Sequence, residues 1–64
     1  MTEEMAHQIL EKLKTGELKE YLIEKNDFIS FREVLVKRED FRHFRGIAKR
    51  GGEVVYHYLE EARS

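Results

Sequence analysis

The stretch with the densest mixture of cationic and aromatic residues is FRHFRGIAKRGG, residues 41–52. Its basic side chains could bind phosphates, because Arg and Lys contacts supply most of the sequence-independent affinity for nucleic acids. Its phenylalanines could stack on bases, as aromatic side chains do in proteins that bind single strands. Under this interpretation the residues that contact a polyanion are Arg38, Arg42, Arg45, Lys49 and Arg50.

The same stretch also has the spacing of a helix that faces a core. Four apolar residues recur at i, i+3, i+6 and i+7, namely Phe41, Phe44, Ile47 and Ala48. This spacing predicts one packed stripe, with the arginines on the solvated face. Residues 37–50 carry six basic and two acidic residues, but the whole-chain pI near 6.3 lacks the basic bias of nucleic-acid modules. We therefore favour packed phenylalanines over base-stacking ones.

No set of residues has the spacing of a catalytic or metal site. The chain contains no Cys, which excludes disulfides, thiol nucleophiles and thiolate ligands. The histidines, His7, His43 and His57, form no i, i+4 pair of the kind that binds metals. Adjacent acidic residues such as Glu3 and Glu4 point about 100° apart on a helix and do not form a carboxylate dyad. We expect a protein that is not an enzyme and that uses no metal or cofactor.

The length of 64 residues indicates a single domain over residues 1–64. A domain of this size buries only about 60% of its unfolded surface, so small domains commonly add disulfides, a metal or a partner chain. Without Cys or a metal site, self-association remains. No apolar run approaches the roughly 20 residues of a membrane span, and the acidic N-terminus is unlike a signal peptide. These features predict a cytoplasmic protein with no membrane contact.

The first half of the chain predicts a helix followed by an ambiguous segment. Thr2 can cap a helix that carries an apolar stripe at Met5, Ile9 and Leu13, and Gly16 can end it in a left-handed conformation. Residues 17–27, ELKEYLIEKND, fit either a helix or a strand. Because Gly16 and Asn26-Asp27 bound the apolar residues closely, we favour the strand.

Residues 28–50 predict either two helices or one long bent helix. Asn26 or Asp27 can cap a helix with its apolar face at Phe28, Phe31, Val34 and Leu35. Asp40 can cap the third helix described above, and Gly51 can end it. One helix bent near residues 37–40 is the alternative. Gly46 would lie inside this helix, where Gly costs about 1 kcal/mol relative to Ala, so it indicates either close packing or a break.

Residues 53–60, EVVYHYLE, have the composition of a strand, because they are rich in β-branched and aromatic side chains. Val54, Tyr56 and Tyr58 share one face, and Val55, His57 and Leu59 share the other. Both faces are largely apolar, which indicates burial on both sides or pairing with a second chain. An exposed edge strand would invite such pairing.

These patterns predict an α+β fold in which about three helices, in the order α-β-α-α-β, pack on a two-stranded sheet that a homodimer extends. The expected interface residues are Val54, Tyr56 and Tyr58, since buried Tyr is a common interface anchor. We expect a small protein that acts through protein–protein interaction and self-associates. The alternatives are a regulator that binds nucleic acid through segment 37–50, and a protein that binds an acidic partner protein through the same face.

Overall fold

The computed structural model describes residues 1–61, which form two helices and a three-stranded antiparallel sheet. The elements in chain order are α1 (Glu3–Thr15), β1 (Tyr21–Ile23), α2 (Lys25–Val36), β2 (Phe44–Ala48) and β3 (Val54–Tyr58). Single 3-10 turns at Phe41–His43 and Arg50–Gly52 precede β2 and β3. The α+β class is confirmed, but the order is α-β-α-β-β and the sheet has three strands.

Helix α1 begins and ends where the sequence predicts. The Thr2 hydroxyl accepts a hydrogen bond from the backbone N–H of Met5, 3.1 Å away, which satisfies one of the free donors of the first turn. Gly16 follows the helix with a φ of 87°, and its N–H donates to the Leu13 carbonyl. Ala6, Ile9, Leu10 and Leu13 form the buried stripe, whereas Met5 is exposed.

The N-cap of helix α2 lies two residues before Asn26 and three before Asp27, the two predicted caps. The N-cap is Glu24, and no side chain caps the first turn, so the expectation that Asn26 or Asp27 caps the helix is wrong. Asp27 Oδ1 instead accepts a hydrogen bond from the N-terminal ammonium of Met1, 3.1 Å away, and the two groups form an ion pair. The predicted apolar face is confirmed, because Phe31, Val34 and Leu35 are buried and Phe28 is half-buried.

The predicted third helix is wrong, and so is the single bent helix. Residues 44–48 form β2 instead. The helical spacing also fits a strand, because Phe44, Gly46 and Ala48 alternate with Arg45 and Ile47. Gly46 lets the backbone of β2 lie close to the side chains of Val54 and Tyr56 on β3. A Cβ there would meet Val54 Cγ1 and Tyr56 Cε1 at 3.0 Å each.

Strands β2 and β3 form a hairpin whose turn uses both glycines of the Gly-Gly pair. Gly51 and Gly52 have φ values of 82° and 87°, in the left-handed region that favours glycine. The Lys49 N–H donates to the Glu53 carbonyl at 2.7 Å and closes the loop. The pair therefore turns the chain between strands, in place of the expected helix end.

Strand β3 is the central strand of the sheet, in the order β1-β3-β2. Leu22 pairs with Val55 on one side, and Ile47 pairs with Val55 on the other. The two-stranded sheet is therefore wrong, and β3 has no exposed edge of the kind that would invite pairing with a second chain. The edge strands within the described residues are β1 and β2.

Both helices contribute to the core on the same side of the sheet. Phe31 and Leu10 are fully buried there together with Ile23 and Phe44. Val54, Tyr21 and Tyr58 pack against this cluster from the edges. Within residues 1–61 the fold is thus a two-layer arrangement in which the side of the sheet away from the core carries no helix.

Candidate functional site

The three predicted interface residues lie on the side of the sheet that faces the helices. The Tyr56 ring is buried against Phe31, with the ring centroids 5.0 Å apart. Tyr58 lies between two rings, stacked on His43 at 5.3 Å and edge-on to Phe44 at 5.2 Å. Val54 packs against the same core. These side chains therefore pack within the single chain.

His43 ties the two ends of the β2–β3 hairpin together. Its Nδ1 lies 2.8 Å from the Leu59 carbonyl, and because a carbonyl only accepts, Nδ1 carries the proton. The Leu59 N–H donates in return to the His43 carbonyl. His43 is thus a structural residue at the end of the sheet.

Arg38 is engaged within the chain by groups on two elements. Its Nε donates to Asp40 Oδ1 at 2.9 Å, and its Nη2 donates to Asp40 Oδ2 at 3.1 Å and to Glu11 Oε1 at 2.9 Å. The hydrogen bonds to Asp40 raise the pKa of the Arg38 guanidinium and lower the pKa of the Asp40 carboxyl from its usual 3.8. A guanidinium cannot accept, so His7 Nδ1, 3.1 Å from Nη1, accepts and is unprotonated.

The other four predicted polyanion contacts do not share a helix face. Arg42 lies in the 3-10 turn with its guanidinium carbon 5.9 Å from the centroid of the Phe41 ring. Arg45 belongs to β2, and Lys49 and Arg50 belong to the hairpin turn. All four are exposed. Of the two phenylalanines for which the sequence favours packing over base stacking, Phe44 is fully buried and Phe41 is exposed.

The uncovered side of the sheet carries an apolar row with one residue from each strand. Leu22, Val55 and Ile47 lie side by side in register, with 44%, 6% and 36% of their surfaces exposed. Val55 is buried yet lies outside the core cluster, since its neighbours in the ladder, and no helix, cover it. We call this surface the open face.

The charges that flank the apolar row are divided between the two edge strands. Glu20 and Glu24 lie two residues to either side of Leu22, so strand alternation directs them to the open face. Arg45 and Lys49 flank Ile47 in the same way. The open face therefore has an acidic side along β1 and a basic side along β2.

A second surface lies along the outer edge of β2, where a cleft separates this strand from α2. The cleft has a volume of about 350 Å³ and opens among Phe28, Arg32, Val36, Phe41, Gly46 and Ala48. This volume is at the lower end of the range of small-molecule pockets. Most of its lining is apolar, and Arg32 is its one charged residue.

The described residues hold no metal-ligand cluster and no long apolar helix. In residues 1–61, His, Asp and Glu side chains nowhere gather in a group of three that could hold a metal ion. Neither of the two helices in that range has the length and hydropathy to cross a membrane.

Sequence reasoning missed two residues of the open face, Leu22 and Ile47. The signal for Ile47 was the Gly51-Gly52 pair, because Gly-rich pairs between apolar segments are typical of hairpins. A hairpin centred on these glycines sets Ile47 beside Val55. Leu22 had no comparable local signal, because its pairing with β3 spans 33 positions of the chain.

A protein-family model described as YkzS-like protein matches residues 3–57. The match covers the whole of both helices and nearly all of the sheet, so the chain belongs to the YkzS-like protein family. No curated protein and no solved structure matches the chain.

Proposed function

We propose that this member of the YkzS-like family is a non-enzymatic protein that acts by protein–protein interaction and forms a homodimer through its open face. The observation that carries the proposal is the apolar row Leu22–Val55–Ile47 on a side of the sheet without helices. An antiparallel sheet with one side in water normally alternates apolar and polar residues. An apolar residue at the same level on all three strands is instead typical of a covered surface.

The distribution of charge favours a second copy of the chain as the cover. A two-fold axis parallel to β3, lying between two open faces, sets β1 of one copy over β2 of the other. Leu22 then faces the partner's Ile47, and Val55 faces the same residue of the partner. Glu20 faces the partner's Arg45, and Glu24 faces the partner's Lys49. Glu20 and Glu24 thus each meet a basic residue, which favours this register over the parallel superposition, whereas Glu53, two residues before Val55, faces the same residue of the partner.

The size of the face limits the affinity. Two strands of five residues and one of three, about 4.8 Å apart, give a face of at most roughly 14 by 17 Å. Counted on both copies, this area is well below the roughly 1,200 Å² of small stable protein interfaces, so we expect a dissociation constant of about 100 micromolar or weaker.

Sedimentation equilibrium over a wide concentration range tests the dimer. Leu22→Glu removes apolar contact twice per dimer and should weaken association at least tenfold. Ile29→Glu is the matched control, because Ile29 is an exposed aliphatic residue on α2, away from the open face. A wild-type chain that stays monomeric at millimolar concentration would contradict the proposal, as would equal effects of both variants.

A charge exchange tests the two-fold register. Glu24→Lys alone and Lys49→Glu alone should each weaken the dimer about three- to tenfold, because each places like charges opposite one another twice. The double variant restores both pairs and should recover the wild-type dissociation constant. Additive weakening in the double variant would rule out this register.

A further inference from the structure

The outer edge of β2 presents backbone groups that no strand within residues 1–61 pairs with. Because Lys49 donates to Glu53 and His43 accepts from Leu59, the odd-numbered residues of β2 turn their backbone groups toward β3. The N–H and C=O groups of Gly46 and Ala48 therefore point outward. Together with the Phe44 carbonyl they form an edge about five residues long, the length of a typical paired strand.

The cleft beside this edge suits alternate side chains of an added strand. Gly46 and Ala48 direct their Cα substituents toward the helix side, where both residues are exposed and line the cleft. A strand added to β2 would direct every second side chain into the same cleft, between β2 and the apolar residues Phe28, Val36 and Phe41. Strand addition of this kind takes affinity from the backbone and specificity from such pockets.

The charge around the edge selects the occupant. Residues 41–52 contain four Arg or Lys residues and no Asp or Glu, and Arg32 adds a cation within the cleft. A second β2 paired antiparallel about Gly46 would bring the basic turn that holds Arg42 beside the partner's basic turn that holds Arg50. Two surfaces with the same sign of charge repel each other, so this edge disfavours its own copy and favours an acidic strand.

We propose that the β2 edge and its cleft bind an extended acidic segment of another protein as a fourth, antiparallel strand. The segment alternates apolar residues, which enter the cleft, with Asp or Glu residues, which lie beside Arg45 and Lys49. The backbone edge points sideways in the plane of the sheet and the cleft lies on its helix side, so both are separate from the apolar row of the open face. Arg45 and Lys49 are the two residues that both surfaces use. Binding does not require the homodimer, because the backbone edge and the cleft belong to one chain.

The test uses a fluorescein-labelled peptide of sequence EVEVEVE with capped termini, measured by fluorescence anisotropy. In an antiparallel addition the valines opposite Gly46 and Ala48 donate their N–H groups to β2. N-methylation of the valines should therefore weaken binding at least tenfold, and N-methylation of the glutamates should leave it nearly unchanged. Equal effects of the two modifications would overturn strand addition. A peptide with Lys in place of every Glu should bind at least tenfold more weakly; equal binding would overturn the role of charge.

Two variants on α2 test the cleft without touching the core. Val36→Glu introduces a negative charge at a residue that lines the cleft, and should weaken EVEVEVE binding about tenfold or more. Ile29→Glu makes the same change at an exposed α2 residue outside the cleft, and should leave binding unchanged. Equal affinity of the two variants would overturn the assignment of the cleft.

Two further measurements separate this site from nucleic-acid binding and from the dimer. The first measures binding of a labelled single-stranded oligonucleotide to the wild-type and Val36→Glu chains. If both chains bind the oligonucleotide equally and neither binds EVEVEVE, the proposal is overturned in favour of phosphate contacts. The Leu22→Glu chain should bind EVEVEVE with wild-type affinity, whether or not the wild-type chain dimerises. A parallel loss of peptide binding in Leu22→Glu would overturn the independence of the two surfaces.

Discussion

Replacing Arg38 by Met should destabilise the chain more than any other single change at a charged residue. The Arg38 side chain joins α1 to the connection between α2 and β2, through Glu11 and His7 on one side and Asp40 on the other. Met keeps much of the aliphatic stem and removes all of the donors. The substitution therefore isolates the polar contacts from the packing of the stem.

The magnitude follows from the exposure of each partner. The side chains of Arg38 and Asp40 are only 12% and 17% exposed, and their two hydrogen bonds form a bidentate pair. Hydrogen bonds to charged groups contribute about 1.5–3 kcal/mol when partly buried, whereas the pair with the exposed Glu11 contributes about 0–1 kcal/mol. We expect a loss of about 2–3 kcal/mol, which is about half the stability of a domain this small.

Thermal and urea denaturation followed by circular dichroism measure this loss. For a chain of about 60 residues, about 2–3 kcal/mol lowers the Tm by roughly 10–20 °C. Arg32→Met is the matched control, since Arg32 is exposed on α2, and should change stability by less than about 0.5 kcal/mol. In a double-mutant cycle, Asp40→Asn should add little to Arg38→Met. A loss below about 0.5 kcal/mol, or full additivity with Asp40→Asn, would refute the reasoning.

Two further predictions follow from the same contacts. Because Arg38 holds the pKa of Asp40 below its usual 3.8, the unfolded chain takes up the proton first as the pH falls through that value, and stability drops; urea denaturation at pH 6 and pH 3 should show a smaller acid loss in Asp40→Asn than in wild type. Gly46→Ala should lower stability by about 1 kcal/mol or more, because the added Cβ crowds Tyr56 and Val54 at 3.0 Å; an unchanged urea midpoint would contradict the role of this close approach.

Helix α1 was predictable because its signals are local. The cap at Thr2, the apolar stripe and the terminal Gly16 all lie within fifteen positions and indicate the same element. The confirmed strands at Tyr21–Ile23 and Val54–Tyr58 follow similarly from composition and bounding residues. These elements needed no knowledge of what packs on them.

Strand β2 was missed because its pattern is compatible with two elements. Phe41, Phe44 and Ile47 recur with helical spacing, and Arg, Ala and Gly are poor indicators of a strand. Tertiary packing decides between the alternatives: β3 offers a partner ladder through the Gly51-Gly52 turn, and Tyr56 occupies the space that a side chain at position 46 would fill. The sequence allowed two explanations for Gly46, close packing or a break in a helix. Close packing is the one that the structure shows, and the residue lies in a strand.

The assignment of the two sides of β3 could not be made from residues 53–60 alone. The sequence separates Val54, Tyr56 and Tyr58 from Val55, His57 and Leu59, but both sets are apolar enough to face a core. The larger rings of the first set fill the space between helices and sheet, where Phe31 contacts Tyr56. The choice depends on the volumes of residues 25 positions apart, which no local pattern encodes.

The same choice determines what covers the second side of the sheet within one chain. Residues 1–61 contain two α-helices, and both lie on the side that holds Tyr56. Val55 is left with Leu22 and Ile47 as its apolar cover, and these two remain partly exposed. Polar residues at all three positions would suit a side that stays in water. The apolar row therefore supports the proposal that this side is covered, and the separation of Glu20 and Glu24 from Arg45 and Lys49 supports a second copy, turned by half a rotation, as the proposed cover.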